Sequence, residues 1–319
     1  MDQNTEVRLE DAGAGSGVRF RGEAIVDEHT GDVLGRIALD HGILTFEVAP
    51  EARRRGVATA AVREFSRALL TRRDRLEMRI GWDNPAAQRV ALAAGYTREA
   101  VRRGDPELIV FSRLAGDPEG PTARLLPDLP GGELSDGVIT LRPLGVQDVD
   151  FYIELHNLPD VIATSVPPEP RPAEEVQRRC VRAEAHWLAG NRADLVILDT
   201  TTGERAGEIG LYYQEPPTGQ AMIGYSTLPA YRGRGFASRA AQLIALWVFA
   251  ETGIARLIAG TLPTNTGSQR VLEKAGFTRE AYLRSRLPGP DGTRTDDVQY
   301  VLLAGDLLAQ ASGGGASHA

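Results

Sequence analysis

The chain repeats itself, and this constrains its fold more than any other feature of the sequence. The segment NPAAQRVALAAGYTREA from Asn84 and the segment NTGSQRVLEKAGFTREA from Asn265 agree at ten of 17 positions, at an offset of 181 residues. Upstream, EVAPEARRRGVATAAV from Glu47 aligns with STLPAYRGRGFASRAA from Ser226. Arg53 then pairs with Arg232, Gly56 with Gly235 and Ala58 with Ala237, all at an offset of 179. Two blocks held in register this way mean one domain present twice, and 319 residues leave room for both copies.

The copies are unequal. The second reads as a strand at 138–144, a helix at 146–157, a Pro-rich loop and a helix at 173–188. Strands follow at 194–199, 206–213 and 221–228, the last two a hairpin across Pro-Pro-Thr-Gly. A glycine-bearing loop leads into a helix at 237–251, a strand at 257–262 and a helix at 267–275 that stops at Gly276. A last hairpin spans 279–303, with PGPDG at its tip. The first copy has the same second half, but only strands at 18–27, 33–40 and 43–49 precede it, with no helix pair. The expected organisation is a truncated, non-catalytic copy over 1–115, a Pro/Gly-rich linker over 116–137, a complete copy over 138–308 and a disordered tail over 309–319. The fold class expected is α/β, two tandem mixed sheets flanked by helices with the N-terminal one truncated.

Composition narrows the function classes. An apolar fraction of 42% excludes general disorder. The longest conspicuous uncharged stretch, 240–250, has the length of a buried helix rather than a membrane span. The acidic start MDQNTEVRLED lacks the apolar core of a signal peptide, and the single cysteine, Cys180, excludes an internal disulfide and a Cys-based zinc cluster. A cytoplasmic protein with no membrane partner and no metal is expected. A net charge of −7 argues against nucleic acid as the partner and is compatible with an amine substrate. Lys274 is the one lysine among 36 bases, a bias read as genomic rather than chemical.

The chemistry lies in the loop that joins a strand to an Ala-rich helix in each copy. Arg232-Gly233-Arg234-Gly235-Phe236-Ala237 in the second and Arg53-Arg54-Arg55-Gly56-Val57-Ala58 in the first have the spacing of an anion-binding turn. Glycine admits an anion close to the backbone, and the amides and dipole of the helix N-terminus face it. Alone, such a loop is more often a plain turn. Here each follows a strand, precedes a helix, and is followed about 30 residues later by Asn and then a Gly-aromatic pair.

This constellation resembles the GNAT superfamily of N-acetyltransferases. The second copy, with LRPL, IGYSTLPAYRGRGFAS and NTGSQRVLEKAGF, is similar to the branch that includes the RimJ/RimL-like ribosomal-protein N-terminal acetyltransferases, over nearly all of 138–305. The first, over 18–114, resembles only the cofactor-binding half. The resemblance implies two tandem GNAT-type sheets and acetyl-CoA or another acyl-CoA as donor. It implies that the loop from Arg232 to Ala237, with Ser238, holds the pyrophosphate. The backbone from Tyr225 through Thr227 to Leu228 would pair with the pantetheine arm, one of its amides polarising the thioester. Asn265 would hydrogen-bond the pantetheine, and Ser268 would protonate the leaving thiolate or, alternatively, only cap its helix.

The sequence also departs from the family pattern. Met222 stands where a Glu is common, and Leu272 where many members carry a tyrosine acid. Glu208 is then the best remaining carboxylate for a base, with Glu215 and Asp297 behind it. His186 reads as packed or exposed, and Cys180 as a small buried apolar residue rather than a reactive thiol. In the first copy Ala87 and Ala91 replace Ser268 and Leu272, and Glu47 replaces Ser226. That copy is expected not to catalyse. It either keeps a second coenzyme A site at Arg53, Arg55, Gly56, Ala58 and Asn84, or only stabilises the pair by mimicking a homodimer. The expected protein is thus a monomer with an internal pseudo-dimer, or a homodimer. The leading function is N-acyl transfer to a primary amine of a small molecule or peptide. The alternative is a coenzyme A-binding sensor or assembly module without turnover.

Overall fold

A computed structural model describes residues 17–307; the acidic N-terminal stretch and the tail expected at 309–319 lie outside the described residues. The chain divides into two units, 1–123 and 124–319. Unit 1 runs β1 (Val18–Arg21), β2 (Ala24–Asp27), β3 (Val33–Asp40), β4 (Ile43–Val48), α1 (Val57–Leu70), β5 (Arg75–Gly81), α2 (Pro85–Ala93), β6 (Thr97–Arg102) and β7 (Leu108–Leu114). Its sheet has the order β1-β2-β3-β4-β5-β7-β6. The strand expected over 18–27 is instead a hairpin, because Gly22 turns the chain at φ 61° between β1 and β2.

Unit 2 opens with β8 (Leu134–Ser135), β9 (Ile139–Pro143), α3 (Val149–His156), α4 (Pro159–Thr164) and α5 (Ala173–Leu188). It continues with β10 (Arg192–Asp199), β11 (Arg205–Glu215), β12 (Gln220–Thr227), α6 (Phe236–Glu251), β13 (Arg256–Thr261), α7 (Thr266–Lys274), β14 (Thr278–Pro288) and β15 (Arg294–Leu303). The sheet order is β14-β15-β13-β12-β11-β10-β9-β8. The short α4 was not anticipated; Pro159 supplies the fixed φ of a first helical turn. Each unit is therefore a mixed α/β sheet with helices, and among the described residues only the second carries helices before its central strands.

Those extra helices explain the burial of β10. Its run Leu195-Val196-Ile197 is buried without alternation because Leu195 and Ile197 face the core built with α6, while Val196 faces a second core of Tyr152, Leu155, Val176 and Cys180. A strand covered on both faces is apolar throughout. In unit 1, β1 alternates buried and exposed residues, the mark of a strand with one covered face. The repeat reaches into detail that sequence identity does not show. Gly35 lies opposite Val48 and Gly207 opposite Thr227, and a Cβ at either would sit within 2.3 Å of the carbonyl oxygen one residue earlier on the partner strand.

The Pro/Gly-rich stretch 116–137, read as a linker, is packed at both ends. The Thr122 amide donates to Leu92 O in unit 1 (2.9 Å). In unit 2, Leu126 and Leu129 are 0% and 5% exposed in the main core, and Trp187 Nε1 donates to Pro127 O (2.9 Å). The stretch also contains the short strand β8, which pairs with β9, so its composition marks neither a loose tether nor an absence of packing. Leu126→Ala is expected to lower the stability of unit 2 by about 2–5 kcal/mol, the usual cost of truncating a buried leucine. Urea unfolding followed by tryptophan fluorescence would measure it, and a loss below about 0.5 kcal/mol would return the segment to a loose tether.

Candidate functional site

Two parallel strands that part company create the site. β12 and β13 pair only from Gln220–Arg256 to Met222–Ile258, whereas β12 stays paired with β11 out to Thr227. The Leu228 amide donates to Ala206 O on the β11 side (2.9 Å). Alternation along an antiparallel ladder then turns the main-chain groups of Tyr225 and Thr227 toward the gap. Of the residues expected to pair with an extended ligand, Tyr225 is well placed. Leu228 is not, since its amide is spent, and Thr227 O already accepts from Arg232 Nε (3.1 Å).

The gap ends on the glycine loop. Gly233 and Gly235 both adopt positive φ, 71° and 84°, and Gly235 begins α6 with no side-chain cap, so the first amides of the helix stay open. Arg232 is ion-paired with Asp160 of α4, and Arg234 stacks on Tyr231 and Phe236 while reaching Asp199 Oδ2 (3.3 Å). Ala237 is buried. Ser238, expected to touch the anion, is 2% exposed and its hydroxyl donates to Gly235 O (2.9 Å), so its side chain braces the loop instead. What the loop presents is backbone.

Across the gap stands α7. Asn265 Oδ1 accepts the Ser268 amide (3.1 Å), the usual N-cap bond, which leaves its amide nitrogen for other partners. Ser268 Oγ caps nothing. It lies 2.9 Å from the Tyr225 hydroxyl, which also reaches Ser268 O (3.1 Å), and burial pushes the Tyr225 phenol well up. The two hydroxyls form a protonated pair beside the parted strands, in a cavity of about 200 Å³ also lined by Leu272, Asn265 and Gly260. By sequence Tyr225 has only a backbone role, and the position where the family's tyrosine acid is common holds Leu272, which is 0% exposed core. The phenol comes instead from the opposite strand. A signal for it existed in the repeat, where Tyr225 and Ser268 correspond to Phe46 and Ala87, so that both hydroxyls are absent together.

Glu208 has to be corrected as a base candidate. It is 5% exposed on β11 and accepts from Arg179 Nη2 of α5 (3.1 Å), while His156 Nε2 of α3 lies 3.1 Å away. Arg179 also donates to Asp194 Oδ1 (2.8 Å), which takes a further bond from Arg192 (2.9 Å). Burial opposes the charge of Glu208, yet Arg179 and His156 hold its carboxyl well below the usual range. A carboxylate held this firmly is a poor proton acceptor near neutral pH, and its part is to fix α3 and α5 on the sheet. Burial pushes the Cys180 thiol up to about 12, so it is an inert core group. Glu215 is exposed at the hairpin turn beside Thr218 and Gln220. Among the described residues no group of acids, histidines and cysteine could hold a metal, and no helix is long and apolar enough to cross a membrane.

A larger cavity of about 620 Å³ adjoins the first, with Arg171, Arg179, Tyr212, Gly224, Gly260 and Leu287 lining both. Unit 1 repeats the loop but not this surround. Arg54 and Gly56 take φ 60° and 80°, Arg53 Nε donates to Val48 O (3.1 Å), and Asn84 Oδ1 accepts the Ala87 amide (3.1 Å). β4 and β5 pair only at Ile43–Glu77, and the cleft of about 550 Å³ contains Phe46, Glu47, Arg53, Gly56, Ala58, Asn84 and Ala87. Arg55 is exposed beside it.

Residues 139–278 match the family model described as an acetyltransferase (GNAT) domain. The chain is 42% identical over 67 residues to "Probable N-acetyltransferase YjcK" of Bacillus subtilis (strain 168), covering 21% of this chain and 37% of that protein. It is 24% identical to the FsC-acetyl coenzyme A-N(2)-transacetylase of Aspergillus fumigatus, over 53% of this chain and 75% of that one. A crystal structure of a GNAT-family acetyltransferase from Bacillus anthracis aligns at TM-score 0.47 and 23% identity, over 54% of this chain and 98% of that one. The chain thus spans less than two thirds of the first of these curated relatives.

Glu208→Gln, which leaves Arg179 and His156 facing a neutral group, is expected to cost about 3–5 kcal/mol at pH 7. Because the folded-state pKa of Glu208 is depressed, its contribution is present above the unfolded value near 4.3 and fades as pH falls through the folded value. The gap between wild type and variant in urea titrations should therefore narrow below about pH 4. A gap that is constant with pH would show that packing, not charge, is what the substitution removes.

Proposed function

We propose that unit 2, whose residues 139–278 match the acetyltransferase (GNAT) domain model, transfers an acyl group, most simply acetyl, from an acyl-coenzyme A to a primary amine of a small molecule or peptide, by direct attack. One observation carries the reading: the gap between β12 and β13 leads from an uncapped, glycine-lined helix start to the paired hydroxyls of Tyr225 and Ser268. A long donor with a phosphate at one end and a thioester at the other matches that order of groups.

The roles follow from position. The open amides after Gly233 and Gly235 take the pyrophosphate, with the helix dipole behind them. The Tyr225 main chain pairs with the pantetheine amides as an added strand would, and its N–H is directed at the carbonyl whose oxygen gains charge during attack. The Asn265 amide nitrogen holds the arm on the α7 side. The Tyr225–Ser268 pair donates the proton that the departing thiolate takes up. The larger cavity, lined by Arg179 of α5, Arg171 before it and Arg286 and Leu287 of β14, receives the amine.

Unit 1 keeps the parted strands and the loop but replaces the hydroxyl pair with Phe46 and Ala87 and has no counterpart of α3–α5. It reads as a non-catalytic copy whose cleft suits the same class of phosphate-bearing ligand. A coenzyme A-binding module without turnover is the second reading of the whole chain. The substitutions at Met222 and Leu272 favour it; the hydroxyl pair opposes it.

Thiol release from acetyl-CoA over a panel of primary amines tests the choice. Gly235→Glu, which places a carboxylate at the anion site, is expected to abolish release. The double variant Tyr225→Phe/Ser268→Ala should lower kcat by about 10²-fold with little change in donor KM. Coenzyme A binding without amine-dependent release in the wild type would select the module reading.

A further inference from the structure

With Glu208 tied into its cluster and Glu215 out on a turn, one acid of the larger cavity lacks a full set of partners. Asp297 on β15 is 1% exposed and lines that cavity with Met222, Gly260 and Leu287. Its Oδ2 accepts from Arg286 Nη1 of β14 (3.1 Å). Its Oδ1 is buried and makes no hydrogen bond. A buried acceptor left open is destabilising, so its retention asks for a reason.

The neighbouring strand supplies one. A Cβ at position 260 would stand 2.7 Å from Oδ1, so only glycine leaves the carboxylate where it is. Gly260 also lines the smaller cavity that holds Tyr225 and Ser268, so the open oxygen stands in the larger cavity beside a residue common to both. The charged and titratable groups around it are Arg286 from β14, Arg179 from α5, Arg192 from β10, Tyr212 and Glu215 from β11, and Arg171 before α5. Burial raises the Asp297 carboxyl above the ordinary aspartate range against the opposing pull of Arg286 and of the Thr261 backbone amide, the reverse of the situation at Glu208.

We propose that Asp297 is the catalytic base that frees the acceptor nitrogen for attack, an assignment resting on the N-acyltransferase reading above. Oδ1 takes one N–H proton from the acceptor ammonium. The freed lone pair forms the C–N bond while the thioester π electrons move to oxygen. Collapse of that adduct breaks C–S, and the thiolate leaves with a second nitrogen proton relayed by the Tyr225–Ser268 hydroxyls. Asp297 returns its proton to water through the open cavity, so ammonium and thioester give amide, thiol and one proton.

The test uses two acceptors with the same ring and different basicity. Benzylamine is an ammonium at pH 7, and O-benzylhydroxylamine is already neutral. Asp297→Asn in the full chain should lower kcat/KM for benzylamine by about 100-fold and for O-benzylhydroxylamine by about fivefold or less. Gly260→Ala, which displaces Oδ1 and keeps the carboxyl, should show the same selectivity and covers the case in which Asp297→Asn fails to fold. Equal losses on both acceptors, or no loss on either, would overturn the assignment while leaving the acyltransferase reading in place. Wild-type inactivity toward both probes and the whole amine panel would remove that reading and the assignment with it.

Discussion

Everything in unit 2 is arranged around a hydrogen-bond ladder that stops early. Three residue pairs hold β12 to β13, and beyond them β12 is satisfied on one edge only. An open edge inside a sheet is costly unless something pairs with it or water reaches it. Here it faces a cavity lined by Gly260 and Thr261 of β13 and by Asn265, Ser268 and Leu272 at α7, so the strand keeps its shape from β11 and offers its other side to that space. The loop geometry, the cap at Asn265 and the hydroxyl pair all take their meaning from that gap.

The buried ionic cluster plays a supporting part. Arg179, Arg192, His156, Asp194 and Glu208 tie α3 and α5 to β10 and β11, behind the strand whose edge is open. Removing charges from water is expensive, and such clusters are retained where orientation matters more than net stabilisation. Unit 1 has neither the helices nor the cluster. Its cleft has the loop and the gap without the polar wall that would orient a second substrate. The copies therefore share the glycine loop and the parted strands, and differ in the hydroxyl pair and in the polar wall.

Much of this was legible in the sequence, and for identifiable reasons. The repeat, the glycine loop and the helix at 236–251 are local patterns whose physics is local: positive φ at Gly235, an open helix start, an apolar run. The roles of individual acids were not legible, because they depend on what long-range packing brings beside them. Glu208 and Asp297 look alike as letters, yet one is surrounded by Arg179 and His156 and the other has an oxygen with no partner. The Tyr225–Ser268 contact joins residues 43 positions apart and shows in the sequence only as the paired loss at Phe46 and Ala87. The hairpin at β1–β2 and the packed segment around Leu126 escaped because composition marks turns and breaks without saying what they lean on.

The solitary lysine has a consequence of its own. Lys274 Nζ lies 3.5 Å from where a Cβ of Gly235 would be, at the phosphate end of the gap rather than near the hydroxyl pair. All other basic side chains apart from histidine are guanidinium groups, which stay protonated and do not attack thioesters at neutral pH. For a protein proposed to concentrate an acylating agent, this is a form of self-protection. Under that proposal the donor would meet a single lysine ε-amine, and that amine stands beside the glycine loop.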